Sequence, residues 1–125
     1  MKSMHFNLSK IAAAFTVGFC LCAFGVKAQD QTKTVSGEVL DMACYMAKGA
    51  TGEKHKGCAS ACIKDGAPMG LLTSDGKVYL LVENHNKKEV YAKVKDFAGE
   101  KISVTGTVSD KGGLQGVIVD DMKKN

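Results

Sequence analysis

The sequence contains no arginine and no tryptophan, and its aromatic residues make up only 6% of 125 residues. Arginine makes the bidentate contacts to phosphates and guanine on which nucleic-acid recognition largely depends. Aromatic side chains provide the surfaces on which single-stranded bases stack. The lack of the first and the scarcity of the second predict that nucleic acid is not a partner of this protein.

The N-terminal segment has the features of an export signal. Lys2 and Lys10 form a basic start, and Ile11 to Val26 is an apolar run of signal-core length, followed by small residues that suit cleavage. We predict that residues 1–28 are a signal peptide cleaved near Ala28. The apolar run is short for a spanning helix and no second run follows, so we expect an exported protein, periplasmic or secreted, without a membrane span.

Cleavage would change the chemistry of the mature chain. It would remove two of the five cysteines and three lysines, and the formal net charge would fall from +4 to +1. A nearly neutral domain has no basic field that would draw it to nucleic acid. Residues 29–125 are enough for one small domain with a modest core. We expect a monomer whose partner is an unidentified small ligand or protein.

Alternation of apolar and polar residues predicts five β-strands, at 34–40, 70–73, 77–82, 101–108 and 114–119. The polar stretch before the first strand predicts an irregular lead-in. Residues 89–97 carry apolar positions at helical spacing and predict an amphipathic helix. Three strands, a helix and two strands are the order of an OB barrel. Gly37, Gly106 and Gly116 lie within strands and favour sharp coiling. The sequence therefore predicts a mainly β, five-stranded OB-like barrel.

Residues 41–69 interrupt this pattern between the first and second strands. They lose the alternation, contain several glycines and the single proline, and hold every cysteine that remains after cleavage. A helical patch is predicted near 56–64. The loop between the first two strands of an OB barrel borders its usual binding face, so this insertion is the predicted functional segment.

Short motifs within residues 35–120 resemble a group of small, exported, OB-like bacterial proteins of unknown function. The resemblance is carried by Gly37-x-Val39-x-Asp41-x-x-Cys44, His55-x-x-Cys58-Ala59-x-x-Cys62-Ile63, Gly70-Leu71-Leu72, and Gly99-x-Lys101-x-x-Val104-Thr105-Gly106-x-Val108. The Cys/His pattern is the distinctive part, because the last motif is common among OB-like domains. The resemblance implies a fold and an export route but no activity.

The Cys/His pattern predicts a metal site formed by Cys44, His55, Cys58 and Cys62. If residues 54–65 are helical, the last three lie at i, i+3 and i+7 on one face, and Cys44 can fold back onto it. Three thiols and one imidazole form a complete tetrahedral set. Zn(II) suits this set, and Cu(I) suits its soft ligands.

Two other interpretations use the same residues. Outside the cytoplasm, Cys44 could form a disulfide with Cys62 or Cys58, which would leave one redox-active thiol. Cys58 and Cys62 are poor partners for each other on one regular helix. A small Cys-dependent enzyme, with Cys58 activated by His55, is the third hypothesis. No motif for an orienting acid or an oxyanion hole accompanies that pair, so an enzyme is the weakest of the three.

Overall fold

A computed structural model describes residues 30–125, and the predicted signal peptide at 1–28 lies outside the described residues. The chain forms β1 (Gln31–Asp41), α1 (Met42–Lys48), a 3-10 turn (Glu53–His55), α2 (Lys56–Lys64), β2 (Met69–Leu72), β3 (Val78–Glu83), α3 (Lys88–Val94), a second 3-10 turn (Lys95–Phe97), β4 (Lys101–Lys111) and β5 (Leu114–Lys124).

The five strands close into a barrel in the order β1-β2-β3-β5-β4, with β4 pairing back onto β1. β3 and β5 run parallel, and the other neighbours are antiparallel. β1 pairs with β2 in the register Val39 to Leu71, and α3 connects β3 to β4. The predicted mainly β, OB-like barrel is therefore confirmed, with the cysteine-bearing helices between its first two strands.

Two strand glycines allow the barrel to close tightly. A Cβ on Gly37 would collide with the carbonyl oxygen of Leu72, and one on Gly106 would collide with that of Ile118. Gly106 also lies at a register shift between β4 and β5, where a bulge bends the strand. These contacts explain why side-chain-free positions recur in strands that are otherwise rich in valine and threonine.

The core fills the barrel from every strand and is covered by two helices. Fully buried strand residues include Val39, Leu71, Ile102 and Val117. Helix α2 adds Ala59 and Ile63 to this cluster, and the α3 segment adds Val94 and Ala98. The insertion is thus attached to the barrel through its second helix.

Three of the strands, β1, β4 and β5, are longer than the alternation predicts. The expected lead-in is wrong from Gln31 onward, because β1 already pairs there with Val108 of β4. The hydroxyls of Thr34 and Thr105 are 2.7 Å apart across this pair. At the other end, the charged tail continues β5 as far as Lys124, opposite Ile102. Both segments have low hydropathy and mostly exposed side chains. Backbone hydrogen bonds to the long strand β4 nevertheless keep them in the sheet.

The insertion contains more helix than expected. Helix α2 covers Lys56–Lys64, as predicted, whereas α1 at Met42–Lys48 was not anticipated. Helix α1 ends at Gly49, which adopts a left-handed conformation and donates its N–H to the Tyr45 carbonyl at 2.7 Å. No helix in the described range, residues 30–125, is long and apolar enough to cross a membrane.

Candidate metal site

Asp41 turns the chain from β1 into α1 and thereby sets the position of Cys44. Its carboxylate caps the helix, accepting the backbone N–H of Ala43 at 2.9 Å and that of Cys44 at 3.4 Å. The N–H of Met42 is bonded to the carbonyl of Pro68 at 3.0 Å. These bonds hold the first turn of α1 against the end of the insertion, and Cys44 lies in that turn.

Helix α2 positions the other two thiols. Cys58 and Cys62 lie four residues apart and therefore project from one side of the helix. Cys58 is followed directly by Ala59, which is 8% exposed, and Cys62 by Ile63, which is 0% exposed; both neighbours belong to the core. Because these neighbours are buried against the barrel, the thiol-bearing side lies along the edge of the interface. Cys58 is exposed, whereas Cys62 is half-buried.

The three thiols converge although they come from two helices. The Sγ atoms of Cys44, Cys58 and Cys62 all lie within 4.8 Å of one another. The Sγ atoms of Cys44 and Cys58 are 4.0 Å apart. All three cysteines are free thiols in the structure. Cys44 thus lies beside the two thiols of α2, as predicted, and the triad is close enough to hold a metal ion.

His55 is near the triad but is not part of the converging group. It ends the 3-10 turn, and α2 begins only at Lys56. A 3-10 turn rotates the chain differently from an α-helix, so the expected i, i+3, i+7 alignment applies to Cys58 and Cys62 but not to His55. The exposed imidazole lines a small cavity together with Cys44 and Cys58, with room for about one water-sized sphere. Whether His55 is a ligand stays a prediction.

Two thiols of the triad, those of Cys44 and Cys62, have a raised pKa and hold their protons strongly. A hydrogen bond to the Asp41 carboxylate, a second one to Cys58, and burial raise the pKa of Cys44 to about 12. Burial raises the pKa of Cys62 as well, and hydrogen bonds to Asp41 and Cys58 act in the same direction. Without a metal, these two groups are therefore neutral thiols at physiological pH.

Asp41 is a site residue whose role is not evident from the cysteine and histidine pattern of the sequence. It is only 3% exposed. Burial by itself raises the pKa of its carboxyl, but hydrogen bonds from the Cys44 thiol, from two backbone N–H groups and from the Cys62 thiol outweigh burial and lower the pKa. Its signal in the sequence is an aspartate between an apolar strand and Met-Ala-Cys-Tyr, which is the position of a helix N-cap.

Comparison of the chain with protein-family models, with curated proteins and with solved structures finds no match. The resemblance to small exported OB-like proteins therefore stays a prediction. The findings support a coarser description, which is a small five-stranded barrel whose insertion brings three cysteines together.

Proposed function

We propose that this protein is an exported metal-binding domain that holds one ion through Cys44, Cys58 and Cys62, next to His55. The observation that carries the proposal is the convergence of three sulfurs within 4.8 Å. They come from two helices, so no single helical repeat accounts for their meeting. Zn(II) and Cu(I) are the ions whose ligand preferences match this set.

The sulfur spacing suits a metal ion with little rearrangement. A metal–sulfur bond of about 2.3 Å places the sulfurs of a tetrahedral site about 3.8 Å apart and those of a trigonal site about 4.0 Å apart. The observed separation between Cys44 and Cys58 is 4.0 Å. Small side-chain rotations would bring the Sγ atom of Cys62 to the same distance from those of Cys44 and Cys58.

The small cavity beside the triad is also lined by His55, so a fourth, imidazole ligand is the alternative to a site of three sulfurs. Cys44, Cys58 and His55 all line it, and its size is that of one water molecule or ion. The His55 side chain is exposed, so rotation toward the cavity costs little packing. Binding would release the thiol protons to solvent, as metal binding to cysteines does in general.

A disulfide between Cys44 and Cys58 is the second candidate state. It is favoured by one observation, which is that their sulfurs are 4.0 Å apart. Oxidation would join this pair and leave Cys62 as a free thiol. The protein would then be a binding module with a cross-linked insertion, and the remaining thiol would be available for redox exchange.

Elemental analysis and thiol counting on the same sample test the proposal. Protein purified without oxygen from the exported fraction should contain one metal ion per chain. Its thiols should resist alkylation until a chelator is added. Cys58→Ser should lose the metal, whereas Ser60→Ala, a matched substitution on the same helix, should retain it.

Other outcomes would overturn the metal assignment. A metal-free protein with one alkylatable thiol per chain would establish the disulfide state instead. A metal content that is unchanged in Cys58→Ser would show that the ion is bound elsewhere. Circular dichroism of each variant checks that the barrel is folded before the metal content is compared.

A further inference from the structure

The ligand atoms that converge in the insertion are all sulfur. Among the His, Cys, Asp and Glu side chains of residues 30–125, the group whose ligand atoms lie within 4.8 Å consists of the three cysteines. His55 lines the neighbouring cavity but is outside the group. Thiolates are soft ligands that suit both Zn(II) and Cu(I), and Cu(I) is the softer of the two ions.

The coordination number points in the same direction. Zn(II) in structural sites is almost always bound by four protein ligands in a tetrahedron. Cu(I) is a soft ion that is satisfied by three sulfurs in a plane. A planar arrangement with bonds of about 2.3 Å has sulfur separations of about 4.0 Å, and Cys44 and Cys58 already show 4.0 Å.

The nearest oxygen ligand is committed to other bonds. The Asp41 carboxylate accepts the backbone N–H groups of Ala43 and Cys44, and it is 3% exposed. Moving it to a metal would leave the first turn of α1 without its cap, which would destabilise the helix that carries Cys44. Asp41 therefore orients Cys44 through the helix cap and does not contribute an oxygen ligand to the ion.

We propose that the ion is monovalent copper, held by Cys44, Cys58 and Cys62 without His55; this assignment rests on the metal-binding function proposed above. Each thiol that binds Cu(I) releases its proton to solvent, and no electron is transferred. Cys58 is exposed while Cys44 and Cys62 are half-buried. An incoming donor thiol can therefore reach the ion along the Cys58 side, which makes the copper exchangeable.

Competition for copper and zinc on the full mature protein tests the assignment. The reduced, metal-free protein is titrated under nitrogen with Cu(I) supplied as its bathocuproine disulfonate complex, and separately with zinc sulfate. One Cu(I) per chain should bind, with a sulfur-only first shell in X-ray absorption from the three converging cysteines. Equimolar Zn(II) should not displace it.

The variants separate sulfur from imidazole coordination. His55→Ala should leave the Cu(I) affinity unchanged, as should His85→Ala, a control histidine in an exposed loop. Cys58→Ser should weaken Cu(I) binding by about 100-fold or more, since even outer partners of a metal ligand are worth 10–100-fold. Transfer of copper to the chelator should be fast relative to unfolding if the site is open along Cys58.

Two results would overturn the copper assignment while the metal-binding function stands. One is displacement of Cu(I) by equimolar Zn(II). The other is a nitrogen ligand in the first shell, together with a loss of about ten-fold or more in affinity for His55→Ala. If neither Cu(I) nor Zn(II) binds the reduced protein, both the assignment and the proposed function are wrong.

Discussion

The Asp41 carboxylate accepts the backbone N–H of Cys44 at 3.4 Å, and it also raises the pKa of the Cys44 thiol. One side chain thus fixes both the orientation and the proton affinity of a candidate ligand. After burial, the same carboxylate is the next cause of the raised pKa of the Cys62 thiol. The fold of α1 and the chemistry of the triad therefore depend on a single buried group.

Asp41→Asn should separate these two roles. Asparagine caps helices about as well as aspartate, so α1 should persist, but the charge that favours the Cys44 thiol is lost. We expect the pKa of Cys44 to fall toward its ordinary value. Asp41→Ala should in addition lower the free energy of unfolding by about 1 kcal/mol. Carbon NMR of protein with isotope-labelled cysteines, recorded over a range of pH, follows each Cβ chemical shift and so measures the pKa of each thiol. A Cys44 pKa that stays near 12 in the asparagine variant would contradict the assigned cause.

The metal-free protein should lose stability in alkaline solution. The pKa of Cys44 is raised from 9.0 to about 12 in the folded state. Between these values the unfolded chain has released the thiol proton and the folded chain has not, so the free energy of unfolding falls as the pH rises. Below pH 9.0 the Cys44 thiol is protonated in both the folded and the unfolded state, and its contribution to the free energy of unfolding is fully present.

Urea unfolding at stepped pH, with a reductant and without metal, measures this effect. Lysines titrate in the same window, so the informative quantity is the difference between the wild-type chain and Cys44→Ser. That difference should shrink as the pH rises from 9.0 toward 12. A difference that is constant over the window would show that the Cys44 thiol has the same pKa in both states.

The barrel could be predicted from the sequence because apolar and polar residues alternate clearly along its strands. The helix α3, between β3 and β4, also has apolar residues at amphipathic spacing. Val39, Leu71 and Ile102 occupy apolar positions of that alternation, and all three are fully buried. The ends of β1 and β5 could not be predicted. Pairing with β4 stabilises them, and such pairing partners are not visible in local hydropathy.

The thiols of the candidate site could be anticipated more fully than its geometry. The spacing of Cys58 and Cys62 depends only on a regular helix, which the structure contains. The position of His55 depends on whether the turn before α2 is α-helical or 3-10. In the structure that turn is 3-10, and His55 is outside the group of converging ligand atoms. Asp41 was missed because its role requires knowing that α1 begins at the next residue.

The mature chain should begin near Gln29. The basic start, the apolar core and the small residues before the cut predict cleavage by the export machinery. Intact mass spectrometry of the protein from the exported fraction measures the N-terminus directly. A mature chain that retains Cys20 or Cys22 would contradict the predicted cleavage near Ala28 and would point to a lipid or membrane anchor.

The insertion should depend on its cysteines more than the barrel does. Residues 41–69 place only Ala59 and Ile63 in the main core cluster before β2 begins. Fixing each backbone residue costs about 1–2 kcal/mol, and a metal ion or a cross-link would offset part of that cost. β4 and β5 are held by their own ladder and by buried valines. Ordering of the insertion is thus the step that ligand binding would control.

Hydrogen exchange on the wild-type protein, before and after metal removal, and on Cys44→Ser tests this division. Exchange in 41–69 should accelerate in both altered samples, while 101–108 and 114–119 stay protected. His55→Ala distinguishes the ligand sets, because exchange should rise if the imidazole completes a four-ligand site and should stay unchanged if the three sulfurs suffice. Unchanged exchange in Cys44→Ser would mean that neither a metal nor a disulfide orders the insertion. Contacts such as that of Ile63 with the core would then be sufficient to hold it.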